Sequence, residues 1–152
     1  MTHEDYMREA LALARECLTT GDVPVGCVVI SPSGEVIGRG RNRREELSSA
    51  TRHAEVEAIE EACRRVGSWR LAGCSIYVTL EPCPMCAGAI WNARISHLWY
   101  GAREERSGCC GSVLNLFAEN IDHATAVRGG LLAEECAAVL GEFFREKRQD
   151  AK

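Results

Sequence analysis

Two short stretches constrain this chain more than any other feature: His53-Ala54-Glu55 and Pro82-Cys83-Pro84-Met85-Cys86. Together they contribute one imidazole, two thiols and one carboxylate. Structural zinc sites use four protein ligands, whereas catalytic sites use three and leave the fourth position for water. The two stretches therefore predict one open zinc site per chain, with His53, Cys83 and Cys86 as ligands and Glu55 outside the coordination sphere. The fold must bring both stretches to one place.

The residues around the ligands predict that each stretch begins a helix. Cys83 and Cys86 are three positions apart, which puts both sulfurs on one face of a helical turn. Proline is tolerated in the first turn of a helix, and the helix dipole there favours thiolate over thiol. His53 and Glu55 would point about 200° apart on an ideal helix. They can converge only in an end turn, so we expect His53 at the very start of its helix, with Thr51 as N-cap.

The combined pattern H-x-E…P-C-x-x-C resembles the signature of zinc-dependent nucleobase deaminases. In a catalytic zinc site the metal lowers the pKa of bound water from about 15.7 to about 7. The resulting hydroxide attacks the ring carbon that bears the amino group, and Glu55 is expected to shuttle the proton to the ring nitrogen and the leaving amine. The cysteine pair alone would also suit a redox dithiol or half of a structural zinc site. His53 alone would be an ordinary partly buried histidine, and only the presence of both halves favours the catalytic interpretation.

Length and composition predict a single globular domain spanning residues 1–152. The chain is 46% hydrophobic and 26% charged, which are ordinary values. No apolar run reaches the length of a membrane span, so we expect no membrane contact and a cytoplasmic location. The nine cysteines are odd in number and lie mostly in apolar segments, which does not indicate a disulfide framework.

The net charge of −4 argues mildly against a nucleic-acid partner. Basic residues nevertheless cluster near the two zinc-ligand stretches and at the end of the chain. The clusters are Arg39, Arg41, Arg43 and Arg44; Arg103 and Arg106; and Arg145, Lys147 and Arg148. Any one of them alone is most simply a solvated face, but their nearness to the site loops favours a role in binding.

The order of predicted elements indicates an α/β fold. A helix and a β-hairpin are followed by alternating helices and strands, which implies crossover connections and helices on both faces of the sheet. The predicted helices are 4–20, 53–66, one from 83 and 131–148, with a short helix or turn at 113–117, and the predicted strands are 25–30, 35–39, 75–80, 96–100 and 124–127. The second ligand stretch directly follows a strand, where open α/β sheets place their sites.

Beyond the zinc pattern, the sequence resembles the bacterial tRNA-specific adenosine deaminases along nearly its whole length. The matching stretches are 22–26, 40–42, 53–55, 77–83, 85–90, 100–103 and the tail from 131 to 145. This resemblance implies a three-layer α/β/α cytidine-deaminase-like fold with a mixed five-stranded sheet flanked by helices. It also implies a homodimer that binds one Zn²⁺ per subunit and hydrolyses adenosine to inosine at the wobble position (34) of a tRNA anticodon stem-loop.

The same resemblance assigns substrate-binding residues. Asn42 is similar to the family asparagine that binds the flipped base, and Val23 and Pro24 resemble its pocket wall. Arg103, Glu104, Phe143, Phe144 and Arg145 resemble the surface that grips the flanking nucleotides. Bacterial members usually carry aspartate at the position of Glu104, and we expect the longer acid to loosen sequence preference.

Two other functions fit parts of the pattern. A guanine deaminase, or another free-base or nucleoside deaminase, would share the zinc residues but would need neither the arginine clusters nor the terminal aromatic pair. A catalytically silent RNA-binding subunit would use zinc only structurally, and Glu55 argues against it because a structural site has no use for that carboxylate.

Overall fold

A mixed five-stranded sheet forms the middle layer of the protein. The computed structural model describes residues 1–119, 121 and 123–151, so Lys152, the last residue of the predicted domain, lies outside the described residues. The helices are α1 (His3–Glu16), α2 (Ala54–Val66), α3 (Pro84–Asn92) and α4 (Ala133–Asp150), and the strands are β1 (Gly26–Ile30), β2 (Val36–Arg41), β3 (Ser75–Leu80), β4 (His97–Ala102) and β5 (Ala126–Arg128). Single 3₁₀ turns cover Cys17–Thr19 and Leu116–Ala118.

The strand order is β2-β1-β3-β4-β5. Strand β1 runs antiparallel to both β2 and β3, whereas β3, β4 and β5 are mutually parallel. The hairpin and the parallel crossover half predicted from the element order are therefore both confirmed. At the carboxyl end of β3 the chain passes directly through Glu81 and Pro82 to the start of α3.

Two apolar clusters, one on each face of the sheet, complete the three layers. Helices α2 and α3 pack against one face, and α1 and α4 cover the other. Successive side chains of a strand point to opposite faces. Cys27 and Val29 of β1 accordingly belong to the first cluster, and Val28 and Ile30 to the second. Burial of β1 on both faces agrees with its uninterrupted apolar sequence.

The spacing of apolar residues in α2 predicts that Val56, Ile59, Cys63 and Val66 lie inside, and the structure differs. Only Ile59 of these is buried, and Val66 is 47% exposed. Small residues face the sheet instead, because Gly38 and Gly40 of β2 bring the two backbones into contact. A Cβ atom on Gly38 would lie 2.1 Å from the Ala58 carbonyl oxygen, and one on Gly40 would lie 2.2 Å from that of Ala54.

Several predicted ends of helices and strands differ from the observed ones by a few residues. Helix α1 ends at Glu16 rather than Thr20, β2 continues to Arg41, and α4 begins at Ala133. The spacing of apolar residues in α4 would also place Phe144 inside, but it is 46% exposed. Among the described residues, no helix combines the length and the apolar character that crossing a membrane requires.

Candidate metal centre and its cavity

The first residues of α2 and α3 lie close together, near the carboxyl end of β3. His53 is the N-cap of α2, with extended backbone angles of φ −82° and ψ 157°, so the prediction of Thr51 as N-cap was wrong. Cys83 is the N-cap of α3, where Pro84 occupies the first helical turn as expected. Because His53 lies just outside the helix, the 200° separation of an ideal helix does not apply to it. His53 and Glu55 can therefore line the same cavity.

The three predicted ligand atoms lie at distances that suit a tetrahedral zinc ion. His53 Nδ1 is 3.7 Å from Cys83 Sγ and 3.5 Å from Cys86 Sγ, and the three atoms all lie within 4.8 Å of one another. Bond lengths of about 2.0–2.1 Å for nitrogen and about 2.3 Å for sulfur, at tetrahedral angles, require nitrogen–sulfur separations of about 3.6 Å. Imidazole and thiolate are also the donors that zinc prefers. The residues present therefore fit the metal.

The electrostatics of the two cysteines are complementary. A hydrogen bond from the Cys86 thiol, opposed by burial and helped by His53, lowers the pKa of Cys83 to about 4. The same hydrogen bond and burial raise the pKa of Cys86. The hydrogen bond with Cys83 also raises the pKa of His53. The three groups therefore share protons among themselves. A divalent cation bound between them would replace those protons and stabilise the thiolates.

Glu55 is a buried acid beside this cluster. Its side chain is 4% exposed, and burial, with a further contribution from the charge of Cys83, raises the pKa of its carboxyl to about 7. A carboxyl group that titrates near neutral pH can both accept and return a proton, as general acid–base catalysis requires.

A cavity of about 490 Å³ opens from the cluster to the surface. This volume is in the range of small-molecule binding sites. Eight of the twelve predicted site residues line it: Val23, Asn42, His53, Glu55, Cys83, Glu104, Phe143 and Phe144. Cys86 is fully buried beneath it, and Pro24 is buried behind Val23.

Two predicted RNA-contacting arginines lie outside the cavity lining. Arg103 is 63% exposed, and its Nε donates a hydrogen bond to Ser112 Oγ at 3.0 Å. Arg145 is exposed on α4, one residue after Phe144. Their contact with RNA stays a prediction.

Asn42 is held by its neighbours in a defined orientation. It is 9% exposed, its Nδ2 donates to the Val23 carbonyl at 3.0 Å, and its Oδ1 accepts from the Arg44 N–H at 3.1 Å. A primary amide has two N–H donors and two acceptor lone pairs. One donor and one lone pair therefore remain for a ligand in the cavity.

Ten further residues of the cavity wall were not predicted as site residues, and five of them are charged: Asp22, Arg44, Glu45, Glu81 and Lys147. Asp22 is fully buried and accepts from the backbone N–H groups of Glu45, at 2.5 Å, and Glu46, at 3.2 Å. Glu81 is 2% exposed, and its hydrogen bonds to Ser112, Cys110 and Glu104 outweigh burial and lower its pKa. Of these, Arg44 and Lys147 belong to the basic clusters of the sequence, and Asp22 and Glu81 lie in stretches that resemble the family.

The first arginine cluster is largely neutralised by acids. Glu46 lies 2.8 Å from Arg41 and 2.6 Å from Arg43, and Arg43 also lies 3.4 Å from Glu57. Arg44 differs because it lines the cavity and, among the described residues, forms no ion pair within 4.0 Å.

Comparison with known proteins agrees with this geometry. The chain matches the MafB19-like deaminase family over residues 1–148. It is 44% identical to a tRNA-specific adenosine deaminase of Bacillus subtilis, across all of this chain and 95% of that protein.

Two solved structures show the same likeness. One, from a study of A-to-I editing by tRNA deaminases at the wobble position of transfer RNA, has a TM-score of 0.85, 42% identity and coverage of 89% of this chain and 98% of that one. A guanine deaminase from Nitrosomonas europaea has a TM-score of 0.81 and 26% identity, covering 93% and 84% of the two chains. The family model covers residues 1–148, and the Bacillus subtilis relative matches this chain from end to end. The chain therefore belongs to the MafB19-like deaminase family.

Proposed function

We propose that this protein is a tRNA adenosine deaminase that converts adenosine to inosine at the wobble position of an anticodon stem-loop. The observation that carries the proposal is the buried carboxyl group of Glu55, which lines the cavity beside the three donors that could hold a metal and is not one of them. Full-length similarity to tRNA-specific adenosine deaminases supports the choice of substrate. Such a substrate places the protein in the cytoplasm.

His53 Nδ1, Cys83 Sγ and Cys86 Sγ would hold the Zn²⁺. When bound, zinc supplies a Lewis acid that lowers the pKa of water near neutrality. The net reaction consumes one water, forms a C–O bond at the purine carbon that bears the amino group, and breaks its C–N bond to release ammonia. Glu55 would carry one proton of the water to the ring nitrogen and the second proton to the leaving amine.

The other cavity residues bind and orient the base. The free N–H and lone pair of Asn42 face hydrogen-bonding groups on the purine edge, while Val23, supported by the buried Pro24 next to it in the chain, forms an apolar wall. Anticodon loops are single-stranded, so extruding one base costs little, and aromatic side chains suit unstacked neighbours. Phe143 and Phe144 form an edge-to-face pair at the mouth, with ring centroids 5.2 Å apart.

Charge at the mouth suits the RNA backbone. Arg44 and Lys147 line the cavity from two different elements, the loop after β2 and helix α4. Arg103, Glu104 and Arg145 extend this surface to the flanking nucleotides.

A homodimer is part of the proposal. Met85 of α3 is 37% exposed, and Val113 and Leu114 are 52% and 58% exposed. The loop that carries Val113 and Leu114 is tied to the start of α3, because the Cys109 N–H donates to the Pro82 carbonyl at 2.8 Å. A second copy would cover these apolar side chains, which should be visible as twice the chain mass in light scattering and should be lost in Leu114→Glu.

The decisive experiment offers the zinc-loaded protein an anticodon stem-loop with adenosine at the wobble position, and in parallel free adenosine, guanine and cytidine. We expect ammonia and inosine from the stem-loop alone. Release of ammonia from guanine, without inosine in the stem-loop, would identify a free-base deaminase instead.

A further inference from the structure

The cavity contains a second buried acid whose role differs from that of Glu55. Glu81 follows β3 and is 2% exposed. Its Oε1 accepts from the Glu104 N–H at 3.1 Å and from the Ser112 hydroxyl. Its Oε2 accepts from the N–H groups of Cys110, at 2.8 Å, and Ser112, at 3.1 Å.

These four hydrogen bonds use the full accepting capacity of a carboxylate. An ionised carboxylate offers about four lone-pair positions and donates nothing. All of its partners are donors from one loop. If Glu81 were protonated, its own O–H would face an N–H or O–H donor, and a hydrogen bond would be lost. Glu81 is therefore committed to the loop and unavailable for proton transfer, although it lines the same cavity as Glu55.

The loop held in this way, residues 103–112, forms one wall of the cavity. It contributes Glu104 and Ser107 to the lining. The partners of Glu81 lie at both ends of the loop, so one carboxylate closes it. Gly108 passes so near that a Cβ there would lie 2.5 Å from Glu81 Cδ and 2.4 Å from the Glu104 carbonyl oxygen. The close fit shows that the loop is shaped around the acid.

We propose that Glu81 is a positioning residue: its buried carboxylate holds the 103–112 loop so that Glu104 and Ser107 meet the nucleotides beside the target base. The inference rests on the proposed function, since it assigns the loop to RNA binding. Glu81 acts on substrate affinity through the loop and leaves the chemistry to Glu55.

The test is Glu81→Gln, which keeps the shape but points an NH₂ group at donors. We expect the KM for the stem-loop to rise about tenfold with kcat changed by less than about threefold, because substrate binding and not the chemical step is affected. Zinc should stay at one per chain. The amides of Glu104, Cys110 and Ser112 should exchange hydrogen faster than in the parent protein.

Two variants accompany it. Ser112→Ala removes one of the four bonds and should raise KM less than Glu81→Gln, and it keeps the proposal testable if Glu81→Gln does not fold. Glu35→Gln makes the same charge change at an exposed side chain of the turn between β1 and β2, near the amino end of β3 and thus at the other end of that strand from Glu81, and it should leave KM unchanged. A fall in kcat at constant KM, or unchanged exchange of the loop amides, would overturn the assignment. If the parent protein makes no inosine, the proposed function fails, while hydrogen exchange still reports on Glu81.

Discussion

At the scale of single residues, two buried carboxylates share one cavity in opposite states. Glu81 has its lone pairs filled by loop donors, whereas Glu55 faces the metal cluster with a pKa of about 7. Glu55→Gln should therefore lower turnover of the stem-loop by about 10²–10⁴-fold or more, because the proton shuttle is removed. Zinc content should remain at one per chain by atomic absorption. Glu60→Gln, on the exposed side of the same helix, is the control, and loss of zinc from Glu55→Gln would mean that Glu55 is a ligand.

Asn42 allows a finer substitution test. Asn42→Asp keeps the oxygen that accepts from the Arg44 N–H but removes the donor to the Val23 carbonyl and to a base, whereas Asn42→Ala removes both. We expect both variants to lose about tenfold or more in kcat/KM with zinc retained, since each lost hydrogen bond of this kind is worth about 1 kcal/mol or more. Steady-state kinetics on the stem-loop gives the comparison. Unchanged kinetics in both would remove Asn42 from the pocket.

The grouping of three donors that could hold a metal was predictable from the sequence, and part of its setting was not. His53, Cys83 and Cys86 are identified by spacing and by proline, which act locally. Helix geometry predicted His53 at the very start of α2, but that His53 and not Thr51 is the N-cap depends on the backbone turn before the helix. The roles of Asp22 and Glu81 could not be predicted even though both lie in stretches that resemble the family, because their partners lie more than twenty residues away along the chain.

At the scale of elements, α2 is placed by two glycines of β2. Because Gly38 and Gly40 admit the helix backbone, α2 buries small residues, and its large apolar side chains stay nearer the surface. Strand and helix periodicity predicted both elements, but only the pairing between them reveals the close approach. The start of α2, and with it His53 and Glu55, is positioned by this contact.

Gly40→Ala tests the contact. A methyl group 2.2 Å from the Ala54 carbonyl oxygen forces α2 away, and overpacking of this kind costs about 1–3 kcal/mol of the free energy of unfolding. Urea denaturation measures the loss, and zinc affinity should fall with it because His53 adjoins Ala54. Gly141→Ala is the matched control: a Cβ there meets only the mobile end of Arg145 at 3.2 Å. That variant should gain up to about 1 kcal/mol from helix propensity, and equal losses in both variants would contradict the contact.

At the scale of the whole molecule, net charge conceals how charge is distributed. The chain carries −4, yet Arg41 and Arg43 are neutralised by acids from other elements, and Arg44 and Lys147 remain at the mouth of the cavity. The sequence shows the clusters but not these pairings, because Glu46 and Glu57 come to the arginines only through folding. Glu45 and Glu104 line the same cavity, so phosphate contacts would come from Arg44 and Lys147 individually and not from a uniformly basic surface.

Binding of the stem-loop should accordingly weaken steeply with salt. Arg44, Lys147, Arg103 and Arg145 offer about four phosphate contacts, and single-stranded contacts give a slope of log K against log salt of about −0.7 each, or about −2.8 in total. Affinity should then fall about 50-fold between about 50 and about 200 mM salt. Fluorescence anisotropy with a labelled stem-loop measures the slope. The double variant Arg44→Gln, Lys147→Gln should reduce its size by about 1.4, and Arg8→Gln, on the exposed face of α1, should leave it unchanged. A flat response in the parent protein would mean that phosphates are not held and would favour a small, uncharged substrate.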